Sequence, residues 1–116
     1  MRSSEIITNS DQSIYHLCLK PGQLSEDIIL VGDPFRVDLI SRYLDNIEFT
    51  LQNREFKSVT GFYNKKRISV ISTGIGGSNI DIVINEVDAL FNYDFISQCY
   101  KTKHVSLNFI RIGSSG

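Results

Sequence analysis

Ile28-Ile29-Leu30-Val31, followed at once by Gly32-Asp33-Pro34-Phe35-Arg36, carries the chain from a strand into a helix within nine residues. Four consecutive apolar residues, three of them β-branched, ended by a glycine, suit a strand covered on both faces. Asp33 can accept hydrogen bonds from the free N–H groups of a first helical turn, and Pro34 suits the first helical position, where no N–H is needed. Val37, Leu39, Ile40 and Leu44 then recur at roughly helical spacing. Strand, glycine turn and helix in this order are the building unit of an α/β fold.

The same grammar repeats downstream. From Ile47 to Thr73 the chain is strand-like, with Phe62-Tyr63 and Ile68–Ile71 on either side of Asn64-Lys65-Lys66, a hairpin turn. The second arm runs into Ser72-Thr73-Gly74-Ile75-Gly76-Gly77. Ile80, Val83, Ile84, Val87 and Phe91 follow at helical spacing, with Ser78 or Asn79 placed to cap and Asp81 in the first turn. Asn92–Lys103 is polar and irregular, and Val105–Ile112 reads as a further strand ending in Gly113-Ser114-Ser115-Gly116. If these strands are parallel, their ends at Gly32, Gly74 and Gly113 share one sheet edge, which is where open α/β sheets bind ligands. A strand leading into a glycine turn is usually half of another strand–helix unit, so a truncated or partial chain is expected.

Bulk properties narrow the function classes. A length of 116 residues suits one domain, and 41% hydrophobic with 22% charged residues is the make-up of a water-soluble globular protein. Twelve basic against thirteen acidic residues give a net charge of -1, so no broad positive field exists to hold a nucleic acid and any anion site must be local. Cys18 and Cys99 form no C-x-x-C pair and have no neighbouring histidine pair, so free thiols and no structural metal are expected. Met1–Gln12 is polar, unlike a secretory signal, and no run of about 18 apolar residues occurs anywhere. A cytoplasmic protein with no membrane partner is the expectation. Pro21-Gly22 reads as a turn closing the N-terminal segment.

Three arginines are candidates for chemistry. Arg36 follows a glycine that admits close backbone approach and a helix N-terminus that offers N–H groups, an anion-binding arrangement; the same G-D-P turn is also a common helix cap, with Arg36 solvated. Arg111 lies inside Phe109-Ile110-Arg111-Ile112, where a buried guanidinium needs either a carboxylate or a ligand anion, and Ser114 and Ser115 stand just beyond it. Arg54-Glu55-Phe56 reads first as cross-strand pairing on a solvated face. His16 and His104 have no companions that would make a triad or a metal set.

In order, Tyr15-His16-Leu17, Val31-Gly32-Asp33-Pro34-Phe35-Arg36, Arg54-Glu55-Phe56, Ser72-Thr73-Gly74-Ile75-Gly76-Gly77, Asn85-Glu86-Val87 and Arg111-Ile112-Gly113-Ser114-Ser115-Gly116 resemble the nucleoside phosphorylases that include uridine phosphorylase and the hexameric purine nucleoside phosphorylases. The resemblance spans nearly the whole chain and implies residues 1–116 as the N-terminal, phosphate-binding part of a single domain. The implied fold is a three-layer α/β/α sandwich with a mixed central sheet, incomplete in this chain. The implied reaction is phosphorolysis of a nucleoside, uridine first, to free base and ribose 1-phosphate, with inorganic phosphate as co-substrate and no cofactor. By the same resemblance Gly32, Arg36, Arg111 and Ser114 hold the phosphate, Ser114 standing where the family usually has threonine, and Arg111 acts in catalysis. His16 and Arg54 resemble residues that reach a neighbouring subunit's site, which implies a homo-oligomer, a dimer or trimer of dimers.

Departures from the family pattern also bear on the reading. Gly77 is followed by Ser78-Asn79 where the family commonly has proline and serine. A monovalent cation site of some uridine phosphorylases maps to Glu55, Ile75 and Asn79, and with asparagine at 79 no bound potassium is expected. The stretch Tyr93–Lys103 is longer than the family's usual link, as in a divergent subgroup with an insertion. The residues that read the base and grip the ribose would lie beyond Gly116, so a non-catalytic fragment or pseudoenzyme, a hydrolytic nucleosidase and a generic phosphate-binding module remain the competing readings. Three arginines around one pocket favour phosphate over water as the attacking group.

Overall fold

The structure, a computed structural model, describes residues 17–20, 22–74, 77–94, 99–100 and 106–112. In chain order the elements are β1 (Asp27–Val31), α1 (Pro34–Ser41), β2 (Asn46–Asn53), β3 (Phe56–Tyr63), β4 (Lys66–Ser72), α2 (Gly77–Asn92), β5 (Tyr93–Asp94), β6 (Cys99–Tyr100) and β7 (Asn108–Ile112). Five strands form one mixed sheet in the order β2-β3-β4-β1-β7. β1 pairs parallel with both β4 and β7, while β2–β3 and β3–β4 are antiparallel hairpin pairs.

Strand alternation sorts the apolar residues into two cores. Ile28 and Leu30 pack with Ile71 of β4 and with Val83, Val87 and Leu90 of α2. Val31 joins Val37 of α1, Val59 and Val70, with Ile29 and Ile40 half-buried against them. One helix therefore covers each face of the sheet, which is the α/β/α layering expected. Buried hydroxyls seat the N-terminal segment: the Ser25 N–H donates to Ser69 Oγ at 2.7 Å and Thr60 Oγ1 donates to the Gln23 carbonyl at 2.8 Å. Their hydrogen bonds offset the desolvation of these groups.

Local signals located the elements better than their limits. Asp33 caps α1 and Pro34 opens it, yet the helix ends at Ser41, with i→i+3 bonds from Tyr43 to Ile40 and Leu44 to Ser41 tightening the exit. Of the expected stripe only Val37 is fully buried, with Ile40 and Leu44 partly buried beside it; Leu39 is exposed, because two residues from Val37 it lies on the opposite side of the helix. α2 starts at Gly77, so Ser78 and Asn79 lie inside it rather than at a cap, and Asp81 falls beyond its first turn. Its buried ridge is Val83, Val87 and Leu90, with Ile84 turned outward. Asn64-Lys65 is the expected hairpin turn, both residues having positive φ, but Lys66 already belongs to β4. The stretch read as irregular contains a short antiparallel pair, β5 with β6. Among the described residues no helix is long and apolar enough to cross a membrane.

Gly61 is the tightest point of the sheet. A Cβ there would sit 2.4 Å from the Asn46 carbonyl oxygen and 3.0 Å from Leu44 Cδ1, beside a register irregularity between Ile47 and Phe49. Gly61→Ala is expected to destabilise the intact protein by about 1–3 kcal/mol, because a backbone atom cannot move aside as a side-chain tip can. Urea denaturation measures this, and an unchanged midpoint would contradict the packing described.

Candidate functional site

Val31 is in register with Ser72 on one side and Ile112 on the other, so the three parallel strands finish level. Gly32 and Thr73-Gly74 leave from this one edge. The Thr73 N–H donates to the Val31 carbonyl at 2.8 Å, and Gly74 takes φ +76, which favours glycine. At Gly32 an added Cβ would meet only the Gly74 carbonyl at 3.8 Å, so the position is open as well as exposed.

From that edge α1 departs. The Asp33 carboxylate accepts from the Phe35 N–H at 2.9 Å and its carbonyl from the Arg36 N–H, also at 2.9 Å, which sets Arg36 in the first turn, four residues beyond Gly32. Arg36 therefore belongs to the turn that carries the positive end of the helix dipole. An ion pair between Lys57 of β3 and Asp38 of α1 ties this helix to the sheet.

Arg111 is in register with Leu30, one residue before the end of β7. It is exposed, as are Ile110 and Ile112 beside it. Among the described residues β7 is the outermost strand, which leaves the guanidinium that the sequence reading placed in a buried run exposed there. Neither Arg36 nor Arg111 has an ion-pair partner among the described residues, where the salt bridges are Lys57–Asp38, Lys66–Asp27 and Arg67–Glu48. A carboxylate lock on Arg111, one of the two readings left open by the sequence, is thus not found there. Arg36 follows the Gly32 turn in α1, and Arg111 stands one residue before the end of β7.

Arg54 is not on a strand face. With Glu55 it forms the two-residue turn joining Asn53 of β2 to Phe56 of β3, exposed and with φ +56. Cross-strand pairing does not explain it. His16, Ile75 and Ser114 lie outside the described residues, as does the side chain of Asn79. Among the described residues no group of three His, Cys, Asp or Glu side chains is placed to hold a metal ion.

Two further residues act on this region without having been singled out. The Glu86 carboxylate of α2 accepts from the Leu17 N–H at 3.0 Å, anchoring the chain one residue after His16. The buried Ser72 hydroxyl donates to the Glu55 carbonyl at 2.6 Å and accepts from the Lys57 N–H at 2.7 Å. The Asn85-Glu86-Val87 motif pointed at the first; no local signal pointed at the second. A cavity of about 320 Å³ lies at the far end of the parallel strands, between Ser25, Asp27, Lys66 and Arg67. Its cations are already paired, Lys66 with Asp27 at 3.6 Å and Arg67 with Glu48 at 2.6 Å, which leaves the glycine edge as the better anion site.

The chain is similar to known proteins in sequence and in fold. Residues 26–116 match the family described as the Phosphorylase superfamily. A uridine phosphorylase of Thermococcus kodakarensis is 37% identical over 102 residues, 88% of this chain and 32% of that protein. A DeoD-type purine nucleoside phosphorylase of Bacillus velezensis is 35% identical over 87% of this chain and 38% of its own length. Among solved structures, a Trypanosoma brucei nucleoside phosphorylase described as showing uridine phosphorylase activity superposes with a TM-score of 0.86 at 35% identity, covering 97% of this chain and 39% of that one. The chain thus spans about a third of the length of the relatives it matches.

Proposed function

Since the chain belongs to the phosphorylase superfamily, we propose that it is the phosphate-binding part of an enzyme that cleaves a nucleoside, uridine first, with inorganic phosphate. The bond from the anomeric carbon to the base nitrogen breaks, a bond from that carbon to a phosphate oxygen forms, and the base leaves with the electron pair and takes up a proton. The products are free base and ribose 1-phosphate. No protein nucleophile is required, because phosphate attacks.

The observation that supports this reading is the level ending of the parallel strands beside the glycine turns, with Arg36 and Arg111 on the elements next to that edge and both free of ion pairs among the described residues. A dianion held by such donors is positioned against the sugar and offsets the positive charge that develops there. Gly32 and Ser114 complete the phosphate site in this proposal. Arg54, on an exposed turn, and His16 serve the site of a neighbouring subunit, so the working form is a homo-oligomer. A cytoplasmic role in nucleoside catabolism and pyrimidine salvage goes with this reading.

The test is cleavage of uridine and of inosine by the intact protein, with and without phosphate. Base release from uridine that requires phosphate and yields ribose 1-phosphate is expected. Release that proceeds equally without phosphate would replace this reading by hydrolysis, and preference for inosine would move the substrate to purine nucleosides.

A further inference from the structure

β4 pairs with β3 as far as Ile71↔Ser58, and its last residue, Ser72, then lies in register with Val31 of β1. At that parting the Ser72 side chain takes over from the backbone ladder. Fully buried, it gives its proton to the carbonyl of Glu55, Arg54's neighbour in the turn, and receives the N–H of Lys57, two residues further on. Arg54 itself has φ +56, a backbone conformation that non-glycine residues hold only when their surroundings impose it. Gln52 Nε2 adds a bond to the Arg54 carbonyl at 3.1 Å, but from an exposed side chain.

We propose that Ser72 is a positioning residue for Arg54: its hydroxyl, held between Glu55 and Lys57, imposes the left-handed turn and ties it to the strand end that bears the phosphate edge. The inference rests on Arg54 serving a phosphate site. Ser72 is covalently followed by Thr73-Gly74, whose Thr73 N–H is bonded to Val31 just before Gly32. One buried residue thus sets the distance between a subunit's own phosphate edge and the arginine it offers to its neighbour.

The experiment compares Ser72→Ala, Ser72→Thr, Arg54→Ala and the double variant Ser72→Ala/Arg54→Ala in the intact protein. Expected is a three- to tenfold rise in the KM for phosphate in Ser72→Ala, largely reversed in Ser72→Thr, which keeps the hydroxyl. The double variant is no worse than Arg54→Ala, since a positioner has nothing left to position. Hydrogen exchange at the Lys57 amide accelerates in Ser72→Ala. Should that variant fail to fold, Ser72→Cys carries the same comparison, because a thiol keeps the volume but is a weak donor and acceptor. Losses that add in the double variant, or an unchanged phosphate KM in Ser72→Ala beside an impaired Arg54→Ala, overturn this inference alone. An unchanged phosphate KM in Arg54→Ala overturns the assignment of Arg54 to a phosphate site, and this inference with it.

Discussion

Arg111→Ala in the intact protein is expected to lower kcat/KM for phosphate at least tenfold, about 1.4 kcal/mol or more of transition-state stabilisation. Arg111 stands one residue before the end of a parallel strand beside β1 and is without an ion-pair partner among the described residues, so its removal leaves no carboxylate orphaned in the part of the fold described. The thermal midpoint, measured alongside, distinguishes a kinetic effect from a loss of stability. The kinetic and the structural effects are therefore separable. Arg111→Lys keeps the charge but loses the planar two-pronged donor, and should recover only part of the loss. Wild-type kinetics in Arg111→Ala would remove the basis for phosphorolysis at this edge.

Mixing Arg54→Ala subunits with Arg36→Ala subunits should restore activity that neither variant has alone. In a mixed dimer one site combines an intact Arg36 with an intact Arg54 from the neighbour, and the other site carries both lesions. Random association of equal amounts leaves about a quarter of all sites intact. The exposure of the Arg54 turn, with its left-handed backbone at Arg54, motivates this expectation. Activity in the mixture equal to the mean of the two variants would show that each subunit completes its own site.

The order strand, glycine turn, helix was legible because its signals are local. Asp33, Pro34 and the glycines act on neighbours a few residues away, and Asn64-Lys65 adopts the backbone of its own turn. The ordered motifs likewise identified the family, and the positions of Gly32, Arg36 and Arg111 along the chain could be named before any strand was paired. Exposure was misread where it depended on sheet order. Phe109-Ile110-Arg111-Ile112 reads as a run that buries its arginine, and among the described residues β7 stands at the edge of the sheet with Arg111 exposed.

The sequence by itself therefore determined the succession of units and the family, since turn chemistry and strand alternation are properties of short segments. Tertiary structure decided the rest: that β1, β4 and β7 end level, that Arg54 stands on a turn, and that Ser72 holds that turn from 17 residues away. Such contacts join segments whose meeting depends on sheet order and register, and no short stretch encodes either one.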